Sequence, residues 1–171
     1  MIKLLWVDLE MTGLDVTKER IIEVAAIVTD ENYNNLDTYE SVVHQDSRFI
    51  EAMDDWNTNQ HGQSGLTAKI PTAPKADKVE SDLCDFVKKH FSEPAILAGN
   101  SIGQDRKFID AYMPKLADLL HYRMLDVTSW KIVMENQYNQ FFQKKDSHRA
   151  LSDIEESIAE LKFYTSFVKK P

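Results

Sequence analysis

The chain opens on an apolar run, Leu4-Leu5-Trp6-Val7-Asp8-Leu9-Glu10, which predicts a buried strand carrying two acids. Thr12-Gly13 ends it, with Gly13 supplying the turn. After a polar turn, residues 21–30 are β-branched and apolar on both parities, the pattern of a central strand. Asn32 to Asn35 predicts a turn, and residues 36–44 alternate as a third strand. Short connections make the three an antiparallel meander. Residues 45–73, with Met53, Trp56, His61 and Gly65, are irregular or in short helices, punctuated by Pro71 and Pro74. Val79, Leu83, Phe86 and Val87 predict an amphipathic helix over 75–91. A short buried strand follows over 95–99, then a helix over 102–112 that stops before Pro114. Residues 122–125 read as a fifth strand and 127–134 as a helix with Asp126 as its N-cap. The polar stretch 135–146 predicts a loop. The last helix starts near Arg149, with Ser147 as N-cap, and keeps a face of Leu151, Ile154, Ile158, Leu161 and Phe167. This order predicts an α/β fold with a mixed five-stranded sheet, antiparallel meander plus parallel strands, flanked by helices.

Composition narrows the class. A chain of 171 residues with 43% hydrophobic and 28% charged residues can bury one core as a single domain over 1–171. The net charge of −8 argues against a basic track for long nucleic acid, though not against a small phosphate-bearing substrate held by metals. One cysteine, Cys84, excludes an internal disulfide and fits a reducing compartment; it lies in the helical pattern as a buried, inert thiol. No apolar run reaches the ~18 residues of a membrane span. The strand begins so close to Met1 that no signal peptide is expected, and the expected location is cytoplasmic.

The chemistry begins at Asp8 and Glu10. At i and i+2 on a strand they share a face, and each raises the other's pKa unless a cation compensates. An edge strand with two solvated acids is the other reading. Asp105 lies in the first turn of a helix that follows a strand, where ligands gather and where an acid also serves the helix dipole alone. His148 precedes a helix whose first turns carry Asp153. Both could face one cleft, with His148 as a general base, or His148 could be a solvated cap.

Taken together, Asp8, Glu10, Asp105, His148 and Asp153 resemble the DEDDh 3′-to-5′ exonucleases of the ribonuclease H-like superfamily. The stretches 6–14, 53–57, 61–66, 99–105, 121–127 and 147–151 resemble the oligoribonuclease branch across essentially the whole chain. One departure is visible: Glu135-Asn136-Gln137-Tyr138-Asn139 stands where the family commonly has Arg-Trp-x-Pro.

The resemblance implies a ribonuclease H-like fold and a two-metal 3′-to-5′ exoribonuclease that cuts very short, 5′-phosphorylated RNAs. Dinucleotides are favoured and nucleoside 5′-monophosphates are the products. The rival is a DEDDh enzyme of the proofreading or tRNA-trimming type acting on longer single strands; a non-catalytic nucleic-acid-binding module is a third class. Two Mg²⁺ or Mn²⁺ ions are implied on Asp8, Glu10, Asp105 and Asp153, an all-oxygen donor set such ions prefer, with His148 as the base. Also implied are Leu14 as a wedge between bases, Trp56 as a stacking platform, His61, Ser101, Arg123 and Thr128 at the 5′ phosphate, and Gln104 at the substrate. Tyr122 would reach the neighbouring active site of a homodimer.

Overall fold

A computed structural model describes residues 2–143 and 149–168. Its sheet contains β1 (Leu4–Met11), β2 (Ile21–Thr29), β3 (Asn35–Val42), β4 (Ala95–Gly99) and β5 (Leu120–Asp126) in the order β3-β2-β1-β4-β5. The β1–β2 and β2–β3 pairs are antiparallel, and β1–β4 and β4–β5 are parallel. The sheet is therefore the expected meander extended by two parallel strands. β2 is buried at every position, as its two-sided apolarity predicts.

Around it lie α1 (Ser47–Glu51), α2 (Asp55–Gln63), α3 (Leu66–Lys69), α4 (Ala76–His90), α5 (Gly103–Tyr112), α6 (Pro114–Ala117), α7 (Val127–Tyr138) and α8 (Ala150–Ser166). The alternation of β1 decides which helices meet which face. Leu5, Val7 and Leu9 pack with Val79, Leu83 and Val87 of α4 and Phe108 and Ile109 of α5. Leu4 and Trp6 point the other way, onto Ile154, Ile158 and Leu161 of α8. Asp8 and Glu10 continue that second parity, toward the N-terminal end of α8. Trp6 is fully buried, and its indole N–H donates to Thr29 Oγ1 at 2.9 Å, so the core keeps no orphan donor there. Cys84 is buried and free, as expected. Among the described residues no helix is long and apolar enough to cross a membrane.

Several local expectations change. The helix at 127 runs on to Tyr138 instead of stopping at 134. Polarity made 135–138 look like loop, but these residues lie on the helix's outer turns, and the stop is Asn139 in a left-handed conformation (φ 54°). β5 is longer than expected, from Leu120 to Asp126. Pro114 does not simply terminate α5; it opens α6, since proline is favoured at the first helical position. On α8, Tyr164 is fully buried, whereas Phe167, at the C-cap past the last turn, is 48% exposed. Ser147, the expected N-cap, lies outside the described residues. Gly13 does not adopt a left-handed turn; a Cβ there would lie 2.9 Å from Glu19 Cδ, because the Glu19 side chain folds across it to meet Thr12 Oγ1.

Gly99 ends β4 beside β1. A Cβ on it would stand 3.0 Å from both Val7 O and Ile102 Cδ1, contacts tighter than packed cores tolerate. Gly99→Ala is expected to lower stability by about 1–3 kcal/mol, the cost of overpacking a rigid position. Urea unfolding of the two proteins measures it, and an unchanged midpoint would show that the strands can part freely.

Candidate active site

At the C-terminal end of β1 the chain assembles acids. One carboxylate oxygen from each of Asp8, Glu10 and Asp153 lies within 4.8 Å of the others. Strand parity supplies the first two, and the first turn of α8, packed on the same face, supplies the third. Asp105 arrives from α5 on the opposite face. It is 6% exposed, and its Oδ1 accepts the backbone N–H of Leu9, the residue between the two strand acids, at 3.1 Å. The solvated-edge alternative is thereby set aside: β1 is the central strand of the sheet, with β2 on one side and β4 on the other.

The electrostatics follow from this crowding. Burial pushes the Glu10 carboxyl up to about 7, with Asp153, Glu23 and Asp105 adding repulsion and Arg149 opposing it. Burial likewise raises Asp105, against the pull of its hydrogen bond from Leu9, with Asp126 adding a smaller push upward. A site of oxygens only, with more negative charge than its neighbourhood relieves, fits hard divalent cations such as Mg²⁺ or Mn²⁺.

Two charged residues that no sequence pattern singled out hold the rim together. Glu23 of β2 sits opposite Glu10 in the strand register and is 3% exposed. Its carboxylate accepts from Nε and Nη2 of Arg149 and from the backbone N–H of Ala150 at 3.3 Å. A buried acid thus caps the start of α8 and sets the helix that carries Asp153 against the strand that carries Glu10. The available signal was a lone charge inside the apolar run 21–29. His148 precedes Arg149 directly in the chain and lies outside the described residues.

The other expected site residues divide into groups. Ser101 and Thr128 come together: Ser101 N–H lies 2.9 Å from both Thr128 Oγ1 and Asp126 Oδ1, and the two hydroxyls are 3.1 Å apart. Asp126 is the N-cap of α7, as expected, accepting from Thr128 N–H. Ser101 takes a left-handed conformation (φ 50°), costly for a residue with a side chain, and these two partners pin it. Leu14 is 73% exposed and Trp56 60%, large apolar groups left at the surface. Gln104 is used on the loop that carries the first of them, since its Nε2 donates to Leu14 O at 2.8 Å. Tyr122 is 74% exposed on edge strand β5, stacked on His121, with the Arg123 guanidinium 5.2 Å from its ring centre.

His61 comes from α2 to the end of β1. It is 2% exposed, its Nε2–H donates to Met11 O at 2.9 Å, and its Nδ1 lies 4.0 Å from Glu10 Oε2. The structure ties it to the end of β1 and to the acid cluster. A helix residue over a strand end is a tertiary contact that spacing along the chain does not reveal.

Comparisons with known proteins agree with this geometry. The exonuclease family RNase T matches residues 5–161. The oligoribonuclease of Francisella tularensis subsp. novicida (strain U112) is 44% identical over 94% of this chain and 93% of its own length. That of Shewanella loihica is 43% identical over 98% and 96%. Among solved structures, Exonuclease I from Methylocaldum szegediense superposes with a TM-score of 0.77 at 14% identity, over 98% of this chain and 41% of that one. E. coli Exonuclease I in complex with a 5cy-dA13 oligonucleotide gives 0.73 at 12%, over 97% and 41%. The chain spans less than half the length of these structures, and at such identities they establish the fold, which is ribonuclease H-like.

The raised Glu10 pKa has a consequence for stability. Between its unfolded value of 4.5 and its folded value of about 7, the folded state holds the proton that the unfolded state releases. The stabilisation is complete below the lower value and lost as pH rises through the upper, on the order of 3 kcal/mol. Asp105 acts in the same direction. With EDTA present, the melting temperature is expected to fall between about pH 5 and pH 8, and Glu10→Gln to flatten that fall. Added Mg²⁺ should raise it more at the higher pH, where it displaces no proton. A flat melting profile in the metal-free wild type would contradict the crowding of these carboxylates.

Proposed function

The chain belongs to the RNase T exonuclease family, among the oligoribonucleases, and is a 3′-to-5′ exoribonuclease; from that premise we propose that its substrates are very short 5′-phosphorylated RNAs. Dinucleotides are the favoured length and nucleoside 5′-monophosphates the products. The observation that carries this reading is the carboxylate cluster of Asp8, Glu10 and Asp153, with Asp105 against Leu9.

In this reading Asp8, Glu10, Asp105 and Asp153 hold two Mg²⁺ or Mn²⁺ ions. Such ions, when bound, polarise the attacking water and offset the charge that develops on the phosphoryl group and its leaving oxygen. The water attacks phosphorus, the 3′ oxygen departs, and His148 accepts the proton the water gives up. Leu14 separates the two bases and Trp56 stacks on one, a contact worth about 1–3 kcal/mol in sites of this kind. Ser101, Thr128 and Arg123 receive the 5′ phosphate, with the guanidinium able to bond it bidentately. Gln104 acts on the substrate through the Leu14 loop, and His61 joins the groups that receive the 5′ phosphate. Tyr122, displayed on edge strand β5, reaches the site of a second copy in a symmetric homodimer. The whole of 1–171 forms one catalytic domain, acting in the cytoplasm. The short-RNA reading is favoured over long single strands because a net charge of −8 provides no basic field to follow a phosphate backbone.

Hydrolysis of 5′-phosphorylated RNAs from two to about twenty nucleotides at fixed Mg²⁺ tests substrate length. The dinucleotide should be cut fastest, and Arg123→Ala should lower kcat/KM about tenfold or more on it, the scale of a lost charge-assisted hydrogen-bond pair. Equal loss on substrates without the 5′ phosphate would reject that assignment, and equal cutting of the long strand would favour the trimming type. His148→Ala should keep dinucleotide affinity while turnover falls about 10²–10⁴-fold. Binding and turnover lost in parallel would remove it as the base.

A further inference from the structure

We propose that Asn100 is a positioning residue that ties the Ser101–Thr128 pair to the α8 segment carrying Asp153, and thereby sets the length of RNA the site accepts. This rests on the short-RNA function proposed above.

Asn100 follows Gly99 at the end of β4 and precedes the strained Ser101. Its Nδ2 donates in two directions, to Ser157 Oγ at 2.8 Å and to Glu160 Oε2 at 2.9 Å, both on α8 and both buried. Ser157 Oγ in turn donates to the backbone carbonyl of Asp153 at 2.8 Å. On the other side, Thr128 Oγ1 donates to Asn100 Oδ1 at 3.3 Å. The single Thr128 hydroxyl hydrogen is spent there, so in the pair with Ser101 it is the serine that donates. An unbroken polar path therefore runs from Asp153 through Ser157, Asn100 and Thr128 to Ser101.

The chemistry of the path makes it stiff. An amide is planar, and Asn100 uses both Nδ2 hydrogens and its oxygen, so the ring of partners admits one orientation. Glu160 is 1% exposed, and Tyr164 Oη also donates to it. A carboxylate buried among the apolar side chains of α8 is costly unless its oxygens are bonded. Glu160 lies well down α8 from the acid cluster, and it accepts hydrogen bonds from Asn100 and Tyr164. Fixing the distance between the phosphate-receiving pair and the metal-holding acids is a function these contacts can perform. With that distance rigid, an RNA whose 5′ phosphate and scissile phosphate are one nucleotide apart engages both ends, and a longer one leaves its 5′ phosphate outside the pair.

The experiment exchanges donor for acceptor without changing shape. Asn100→Asp removes the hydrogen bond to Ser157 and turns the one to Glu160 into repulsion, and Glu160→Gln in the same chain restores a donor. kcat/KM is measured on 5′-phosphorylated RNAs of two and five nucleotides with Mg²⁺. In Asn100→Asp the ratio of the two should fall by about tenfold, the scale of one broken buried hydrogen bond, and in the double variant return to within about threefold of wild type. Ser157→Ala, a milder cut that leaves Glu160 bonded to Asn100, should shift the ratio the same way by about threefold. Both rates falling in step, with the ratio unchanged in Asn100→Asp and Ser157→Ala, would reduce Asn100 to general scaffolding and overturn the proposal. So would a double variant that regains its melting temperature but not its length preference. A wild type without any preference for the dinucleotide would instead defeat the short-RNA function, and this inference with it.

Discussion

Bringing the carboxylates of Asp8, Glu10 and Asp153 within 4.8 Å of one another is unfavourable in the protein alone, and the surrounding fold is arranged to hold them there. Asp8 and Glu10 have no freedom to part, because they stand on one face of the central strand, with neighbours bonded on both sides. Asp153 is brought up by a helix whose first turn is capped by Glu23 and clamped through Arg149. Asp105 is drawn in by the backbone N–H between the two strand acids. The repulsion that remains is visible in the Glu10 carboxyl, pushed up to about 7. A divalent cation answers a cluster of this kind because it replaces the missing positive charge without needing a nitrogen or sulfur donor.

The Glu23–Arg149 pair shows how a costly buried charge is made useful. An isolated Glu23 at 3% exposure would be strongly unfavourable, but the guanidinium and the Ala150 N–H occupy its oxygens. The pair adds little net charge to the rim, and it fixes the place where α8 meets β2. Asn100 and Glu160 repeat the device one helical stretch further along α8. Polar groups inside this protein are thus concentrated where elements bearing site residues meet, while the sheet faces beneath are apolar.

The exposed groups carry a complementary message. Leu14, Trp56 and Tyr122 are large side chains that a folded chain ordinarily covers, and each lies on a loop, a short helix or an edge strand anchored by specific contacts. Exposure supported in this way is consistent with surfaces that meet a base or a second copy. The acidic balance of the whole chain works with the proposed function, in which a short RNA is held by stacking and a single phosphate grip instead of an extended basic track.

Periodicity was enough to recover the meander, the helix over 75–91 and the strand at 95–99, because each pattern answers to burial on one face or two. The i and i+2 spacing of Asp8 and Glu10 was equally direct, a property of any strand. Helix ends were less legible: 135–138 is polar yet helical, and its limit is set by Asn139 adopting a left-handed conformation that composition alone does not announce. Sequence determined which faces are apolar and which residue types could hold a cation. Only the tertiary structure decided that His61 lies at the end of β1 beside Glu10, that Glu23 caps α8 across more than a hundred residues of chain, and that Asn100 bonds both Thr128 and α8. Those contacts link residues distant in sequence, and their energies depend on distances that exist only once the sheet and helices have packed.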